Sequence, residues 1–198
     1  MSLYELKGPI WLMQPIPYFG EELQGKWLVE PKFDGWRLQI IKYQDSRIEF
    51  WGRRLEKNPN WTDKLKYLIE PAKKIFPPGT LIDAELCSTK GRRFIPSLLA
   101  KNPKADPLIY IFDVVFYEGR FTGDLPLWKR KKIIQEISLE LPFYKTKWKH
   151  LTNLEEDLTK MVKEGHEGIV VKKLSSKYEL SRDGPMATAD WRKIKPGR

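Results

Sequence analysis

The chain has 198 residues, 41% of them hydrophobic, and 36 Lys and Arg against 26 Asp and Glu leave a formal net charge of +10. This composition excludes a disordered basic tail, and no stretch approaches the roughly 18 apolar residues that a membrane span needs. The single cysteine, Cys87, excludes an intrachain disulfide, and one Cys with two His argues against a Cys/His zinc site.

Strand-like runs rich in Ile, Val, Phe and Trp alternate with turns along most of the chain. The turn at 44–46 predicts a hairpin between its flanking strands. The predicted strands are residues 27–29, 36–43, 47–51, 80–86, 108–116 and 168–171. Helical periodicity predicts helices at 61–70, 127–137 and 154–162, with most of the basic run 129–132 on a solvated helix face. The fold class is therefore α+β, with largely antiparallel β-sheets flanked by helices.

The segment EPKFDGWR, residues 30–37, concentrates charge beside a glycine. In an extended strand Glu30, Lys32 and Asp34 would share one face and Phe33 would point to the other. One interpretation is a surface ion triplet at a strand end. The other is a nucleophilic lysine, which desolvation or neighbouring cations must hold partly neutral before it can attack.

Four further strands carry charge within apolar sequence. Two carboxylates interrupt the run 81–86, and Asp113 lies inside the aromatic strand 108–117. An acid and two lysines bracket the apolar residues of EGIVVKK, 167–173, and Lys193 and Lys195 share a face in DWRKIKP, 190–196. A buried carboxylate needs a partner, so core packing alone explains this recurring arrangement poorly.

The ordered set KFDG (32–35), DAE (83–85), the aromatic-Asp strand, EGIVVK (167–172) and KIKP (193–196) resembles the covalent nucleotidyltransferases, which comprise ATP-dependent DNA ligases, RNA ligases and mRNA capping enzymes. The phrases FDVVFYEGR (112–120), LPLWKRKKII (125–134) and EGIVVKKLSSKY (167–178) are most similar to the adenylation domain of ATP-dependent DNA ligases. The match runs from about Gln14 to Pro196. It implies an ATP-grasp-like ligase adenylation fold with a nucleotide pocket between the sheets.

The resemblance also implies roles for individual residues. Lys32 would attack the α-phosphorus of ATP and form lysyl-AMP. Glu30 would lie near the adenine, which the family contacts largely through backbone, and Phe112 would stack on its face. Arg37 and Arg53 match arginines at the nucleotide sugar and at the phosphate or DNA end.

The remaining implied roles concern the phosphates and a divalent metal. Glu85 would contact ribose or a metal-bound water, and Glu85 and Glu167 would hold Mg²⁺ or Mn²⁺, which prefer oxygen ligands. Lys172, Lys193 and Lys195 would neutralise charge on the phosphates and raise the positive potential around the nucleophile.

The family's DNA ligases continue beyond the position of Pro196 into an OB-fold domain that clamps DNA. We expect residues 1–198 to form one adenylation domain, with the OB-fold domain absent from the sequence. The sequence is then either one domain of a longer ligase or a minimal protein to which an OB-fold domain is supplied separately. The implied partners are ATP and nicked double-stranded DNA. We expect weak or no nick sealing by this chain alone.

Two other functions stay open: an RNA ligase or mRNA capping guanylyltransferase, and a catalytically silent nucleic-acid-binding module. The charge of +10 suits either a solubilising surface or a polyanionic partner. Residues 1–10 show no basic region followed by an apolar run, so no secretion signal is predicted. We expect a cytoplasmic or nucleoid-associated protein without a membrane partner.

Overall fold

The structure, a computed structural model, describes residues 4–197. The strands are β1 (Gln14–Pro17), β2 (Trp27–Lys32), β3 (Trp36–Lys42), β4 (Ile48–Gly52), β5 (Thr80–Ser88), β6 (Pro107–Tyr117), β7 (Arg120–Phe121), β8 (Phe143–Lys145), β9 (Lys149–His150), β10 (Gly168–Lys173) and β11 (Ala187–Ile194). The helices are α1 (Ile69–Ile75), α2 (Ile95–Leu98), α3 (Leu127–Glu136) and α4 (Leu154–Lys163). None of the helices in this part of the chain has the length and hydropathy of a membrane span.

The strands form two sheets. The first has the order β1-β11-β10-β2-β9, and the second has the order β4-β3-β5-β6-β7 with β8 paired to β6. Within residues 4–197 the strand pairs are antiparallel except β1 with β11 and β6 with β8. The predicted α+β class with largely antiparallel sheets is therefore confirmed.

Each sheet packs helices against one face and turns the other toward its partner sheet. In the first sheet Val29, Ile169 and Val171 pack against Leu158 of α4. In the second sheet the alternate residues of β3 and β5 pack against α1, α2 and α3. Because side chains alternate along a strand, the residues between these apolar positions point to the space between the sheets. Trp191 and Tyr178 belong to the core that closes one end of that space.

The predicted helix at 61–70 is wrong in its first half. Residues 61–65 form a turn, a short 3-10 segment follows at Lys66–Leu68, and α1 begins at Ile69. The backbone N–H of Trp61 donates to the carbonyl of Phe50 at 2.8 Å, which ties this segment to β4. The turn is closed by the Leu65 N–H, which donates to the carbonyl of Trp61 at 2.8 Å, and Pro71 is accommodated in the first turn of α1.

The prediction that residues 129–132 form a solvated helix face is also wrong in part. Lys129 and Lys132 are exposed, but Arg130 and Lys131 are buried. Two guanidinium nitrogens of Arg130 donate to Asp113 at 2.7 and 3.0 Å. Burial alone would raise the pKa of Asp113, but the Arg130 guanidinium lowers it below its usual range. Lys131 pairs with the buried carboxylate of Glu30 on β2, so buried carboxylates on the sheets hold two charges of α3 inside the fold.

Candidate active site

The two sheets enclose a cleft of about 770 Å³ between their inner faces. All ten residues predicted to serve in catalysis, nucleotide binding or metal binding line it: Glu30, Lys32, Arg37, Arg53, Glu85, Phe112, Glu167, Lys172, Lys193 and Lys195. They come from six strands of both sheets and from the segments that follow β4, precede β10 and follow β11. Residues separated by up to 165 positions in the chain therefore meet in one site.

The nucleophile candidate lies at the end of β2. The Nζ of Lys32 donates to the carboxylate of Glu167, which also accepts a hydrogen bond from Lys195. Burial alone would raise the pKa of Glu167, but the bonds from Lys195 and Lys32 lower it. Glu167 is therefore an anion that holds both amines at the cleft. The Lys32 amine must leave this carboxylate and lose a proton before its lone pair can attack.

The alternation predicted for residues 30–34 ends where β2 ends. Glu30 is buried and Lys32 borders the cleft, as an extended strand requires. Asp34 is exposed and accepts a hydrogen bond from Arg92 at 2.7 Å, so it does not share their face. Phe33 borders the cleft, and its ring stacks on that of Tyr110 with centroids 4.0 Å apart. The prediction of one face for all three charged residues is thus wrong for Asp34.

Glu30 lies at the floor of the cleft in a buried charged cluster. One of its carboxylate oxygens accepts from Lys131, and the other lies 2.7 Å from the Nζ of Lys172. Lys131 also donates to the backbone carbonyl of Phe112, so it joins β2 to β6. Burial lowers the pKa of Lys172 to about 8, with Glu30 opposing the shift and Lys131 adding to it.

Arg37 on β3 is held by a second buried carboxylate. Its guanidinium donates two hydrogen bonds to Asp83 at 2.5 Å and one to the carbonyl of Met13 at 3.0 Å. The hydroxyl of Tyr178 donates to the same carboxylate at 2.7 Å. Burial alone would lower the pKa of Arg37, but Asp83 raises it. The arginine is therefore a fixed cation on the wall of the cleft.

Glu85 follows Asp83 by two residues on β5 and faces the same cleft. Burial raises the pKa of Glu85 to about 7, although Arg37 and Lys32 act in the opposite direction. A close backbone approach at Gly35 supports this wall, because a Cβ there would lie 2.6 Å from the side chain of Glu85 and from the carbonyl of Leu86. Only glycine fits at this position without displacing the carboxylate.

The carboxylates Glu85 and Glu167 are the predicted metal ligands. Between residues 4 and 197 there is no group of three or more His, Cys, Asp or Glu arranged to hold a metal ion. Mg²⁺ commonly keeps several waters and is bound through one or two carboxylates together with substrate phosphates. Two oxygen-donor side chains in one cleft fit a metal of that kind, which substrate phosphates would help to bind.

Phe112 reaches the cleft through a β-bulge. Asp83 of β5 pairs with Asp113 of β6, but the next residue, Ala84, pairs with Ile111, so Phe112 is the extra residue. A bulge changes the direction of a side chain relative to a regular strand. The ring is 9% exposed, and the Nζ of Lys172 lies 4.5 Å from its centroid. The bulge thus turns an aromatic ring toward the cleft, while its stacking on adenine stays a prediction.

The mouth of the cleft is basic. Arg53 and Arg54 follow β4 and are exposed, as is Lys193 on β11. Arg92 also borders the mouth, where its bond to Asp34 raises its pKa. Cations at an exposed rim attract polyanions, and dissolved salt screens this attraction and shortens its range.

Comparison with known proteins decides the family. The family described as "ATP dependent DNA ligase domain" matches residues 13–195, which is nearly all of the 198-residue chain. The chain belongs to the ATP-dependent DNA ligase family. The DNA ligase of Archaeoglobus fulgidus is 31% identical over 183 residues, a match covering 84% of this chain and 31% of that ligase. The DNA ligase of Variola virus is 27% identical over 181 residues and is covered to the same 31%. This ligase-family chain thus spans about a third of the length of these relatives.

Solved ligase structures share the fold. The ligase domain of M. tuberculosis LigD superposes with a TM-score of 0.73 at 17% identity, covering 94% of this chain and 59% of that one. The ATP-dependent DNA ligase from bacteriophage T7, solved in complex with ATP, gives a TM-score of 0.64 at 17% identity, with 94% and 69% covered. At 17% identity these structural similarities establish the fold of this chain.

Sequence reasoning missed several residues that build the ligase-family cleft. The sequence pattern places Lys131 and Arg130 at the surface, but both are buried. It does not indicate Thr146 or Trp191 as site residues, although both border the cleft. The signal for the first two was present. The buried residues of α3 are Leu127, Arg130, Lys131 and Ile134, which follow the i, i+3, i+4, i+7 spacing of one helix face.

Proposed function

We propose that this ligase-family chain is an adenylation domain that takes AMP from ATP and passes it to the 5′-phosphate of nicked DNA. The observation that carries the proposal is the position of Lys32, an amine at the end of a strand in a cleft that also gathers Lys193, Lys195 and three carboxylates. Membership of the ATP-dependent DNA ligase family supports the same assignment.

In the first step Lys32 loses a proton and its Nζ lone pair attacks the α-phosphorus of ATP. A nitrogen–phosphorus bond forms, the bond from that phosphorus to the pyrophosphate oxygen breaks, and pyrophosphate leaves with the electron pair. Lys193 and Lys195 would balance the charge that accumulates on the leaving group. Preorganised cations are effective here because the chemistry of phosphoryl transfer depends on positioning and charge stabilisation.

The later steps use the lysyl-AMP. An oxygen of the 5′-phosphate at the nick attacks the α-phosphorus and displaces Lys32, so AMP is transferred to the DNA. The 3′-hydroxyl then attacks the activated 5′-phosphate, the phosphodiester forms, and AMP leaves. Arg53 at the mouth of the cleft would contact the DNA end or a phosphate, and Arg37 would contact the nucleotide sugar.

Within the cleft, the aromatic and apolar side chains favour the base and the amines favour the phosphates. Phe112 would contact the adenine, with Glu30 beneath it, and Lys172 would add positive charge on the phosphate side of the base. Lys172 and Glu30 bond each other at the floor, so together they define the depth to which the nucleotide enters.

A divalent metal would be held by Glu85 and Glu167 together with phosphate oxygens of the nucleotide. Bound Mg²⁺ or Mn²⁺ supplies charge neutralisation at the phosphates. Glu167 bonds Lys32 and Lys195, so metal binding and these two hydrogen bonds compete for the same carboxylate. Loss of the bond to Glu167 is also what the Lys32 amine requires before it attacks.

The DNA would be bound jointly with an OB-fold domain. The basic residues at the mouth of the cleft would contact the DNA backbone on one side, and a second positively charged domain would contact it on the other. Nick sealing by this chain alone is accordingly expected to be weak or absent.

Covalent labelling tests the proposal. The chain is incubated with Mg²⁺ and α-labelled ATP or GTP, denatured, and examined for acid-labile label on the protein. We expect label from ATP in the wild type and none in Lys32→Ala, with Lys129→Ala, an exposed lysine on α3, labelled as the wild type. Equal label in Lys32→Ala, or no label from ATP in the wild type, contradicts the assignment. Preferential label from GTP indicates a capping-type guanylyltransferase instead.

A further inference from the structure

The outer face of α3 carries an exposed tryptophan between lysines. Trp128 is 40% exposed, and the ammonium groups of Lys129 and Lys132 lie 5.4 and 5.2 Å from the centroid of its ring. The opposite face of the helix is buried, and from it Lys131 reaches the floor of the cleft. The helix therefore separates Trp128 from the cleft, and neither Trp128 nor the two lysines beside it border the cleft.

The segment that follows β10 extends this surface. The backbone N–H of Leu127 donates to the carbonyl of Ser176 at 2.9 Å, and that of Trp128 donates to the carbonyl of Leu174 at 3.2 Å. These two bonds fix the segment against the first turn of α3. Lys177 is exposed directly after Ser176, so its charge lies near the same turn.

The segment that links β8 to β9 also extends the surface. At one end Lys145 donates to the carbonyl of Gln135 in the last turn of α3, and at the other Trp148 packs against the buried cluster that contains Leu127. The segment therefore runs alongside the helix, and Lys147 between these two points is exposed. We define the α3 patch as the exposed tryptophan and the four lysines around it: Trp128, Lys129, Lys132, Lys147 and Lys177.

The positive charge of the α3 patch has no local compensation. The three segments that form the patch contain nine Lys or Arg and no Asp or Glu; they are residues 127–132, 145–149 and 173–177. Arg130, Lys131 and Lys149 have carboxylate partners from other segments. The four lysines of the patch form no ion pair with any residue between 4 and 197. Because like charges repel one another, a polyanion bound here is stabilised.

The exposed ring selects among polyanions. A single-stranded nucleic acid can stack a base on an aromatic side chain while the neighbouring phosphates pair with lysines. A duplex keeps the faces of its bases inside the stack, and an acidic peptide supplies carboxylates without a base. Membership of the ATP-dependent DNA ligase family favours DNA as the nucleic acid.

We propose that the α3 patch binds single-stranded DNA, with one base stacked on Trp128 and two phosphates paired with Lys129 and Lys132. The patch lies outside the cleft, so this inference does not depend on adenylation of Lys32. A DNA molecule with an unpaired strand would then be held on the outer side of α3, and the cleft would remain free.

The stacking is tested by fluorescence anisotropy of the intact chain with two labelled probes, an oligo(dT) of about 20 nucleotides and a blunt duplex of the same length without a nick. We expect Trp128→Ala to weaken oligo(dT) binding about 5- to 10-fold, the loss of one stacked base, and to change duplex binding less than 2-fold. Tyr67→Ala is the matched control, because Tyr67 is 41% exposed outside the patch, and it should bind both probes like the wild type. An equal loss for both probes in Trp128→Ala, or no loss for oligo(dT), overturns the inference.

The phosphate contacts are tested by a salt series with oligo(dT). In the double variant Lys129→Gln, Lys132→Gln the slope of log affinity against log salt should be smaller by about 1.4, since each phosphate contact to a single strand contributes about 0.7. The control Lys160→Gln, Lys163→Gln removes two exposed lysines at the same spacing from α4 and should leave the slope unchanged. Equal slope changes in the two double variants would indicate general attraction and overturn the inference.

Two further measurements separate the remaining explanations. Polyglutamate of similar charge is used as a third probe, and a loss of its binding in Trp128→Ala as large as that of oligo(dT) would indicate an acidic partner and overturn the inference. Labelling of Lys32 by ATP is measured in parallel. Absence of label from the wild type, with oligo(dT) binding that depends on Trp128, would overturn the proposed function and support the α3 patch.

Discussion

The ammonium group of Lys131 on α3 donates to the carboxylate of Glu30 on β2, a residue 101 positions earlier in the chain. The same ammonium donates to the carbonyl of Phe112, so one side chain joins the two sheets beneath the cleft. A helix that covers the outer face of the second sheet thereby sets the position of a residue of the first sheet. The floor of the cleft depends on this contact.

Lys131→Met is expected to destabilise the fold, because it leaves the buried carboxylate of Glu30 with one cation instead of two. Losing a partner from a buried ion cluster costs about 3 kcal/mol of the free energy of unfolding. Urea denaturation of both proteins measures this difference in the free energy of unfolding. The neighbouring Lys132→Met removes the same charge from an exposed position and should change the free energy of unfolding by less than about 0.5 kcal/mol. Equal changes in the free energy of unfolding for the two substitutions would show that the buried contact between Lys131 and Glu30 does not stabilise the fold.

Glu85 should make stability depend on pH in a defined direction. Its folded pKa, about 7, lies above the value of about 4.3 for an unfolded glutamate, so the folded state binds the proton more tightly. Its contribution to stability is complete below about pH 4 and is lost as pH rises through about 7.

Glu85→Gln removes this titration, so the variant should gain stability relative to the wild type by about 1 to 3 kcal/mol between pH 5 and pH 8. Denaturant midpoints at several pH values provide the measurement. The exposed Glu22→Gln serves as control, and its difference from the wild type should stay constant over the same range. A constant difference for Glu85→Gln as well would rule out the raised pKa.

Gly168, which follows Glu167, allows β10 to approach β11 closely. Its φ is +153°, and a Cβ at this position would lie 2.1 Å from the carbonyl oxygen of Ile194. Gly168→Ala should therefore lower the free energy of unfolding by about 2 kcal/mol or more and reduce labelling of Lys32, since Glu167 is displaced. Gly184→Ala, where nothing lies within 4 Å of the added Cβ, should be neutral in both measurements. Wild-type stability and wild-type labelling of Lys32 in Gly168→Ala would contradict the close approach of β10 and β11 at this position.

Arg53 should contribute to DNA binding through charge. In Arg53→Gln we expect weaker binding of nicked DNA at low salt and a slope of log affinity against log salt that is smaller by about 1. Fluorescence anisotropy over a salt series gives both quantities. Lys160→Gln removes an exposed cation from α4, outside the cleft, and should leave the slope unchanged. The same slope change in both variants would indicate general attraction and no contact at Arg53.

Much of the site could be predicted because its residues belong to strands. Along β2, β10 and β11 every second residue faces the cleft, so Lys32, Lys172 and Lys193 follow from local alternation once the strands are recognised. Their order along the chain, together with Glu85 and Glu167, carries the family resemblance that the family match confirms. The prediction of one cleft thus depended on the alternation of side chains along each strand and on the order of the motifs along the chain.

The errors lie in segments that make contacts with residues distant in the sequence. The periodicity of residues 61–70 predicts a helix, but the backbone of Trp61 bonds to β4 and forms a turn. The run 129–132 looks solvated because it is basic, but Asp113 and Glu30 hold two of its four charges inside. Neither partner is adjacent in sequence, so neither contact could be anticipated from the run itself.

The sequence by itself predicted which residues would line one cleft and which face of each strand they occupy, because both depend on residue type and a period of two. Only the tertiary structure decided which charges pair. Lys32 bonds Glu167, Lys131 bonds Glu30, and the hydroxyl of Thr146 is left buried at the floor of the cleft. These outcomes depend on how two sheets and α3 approach one another, and the packing of distant segments sets that geometry.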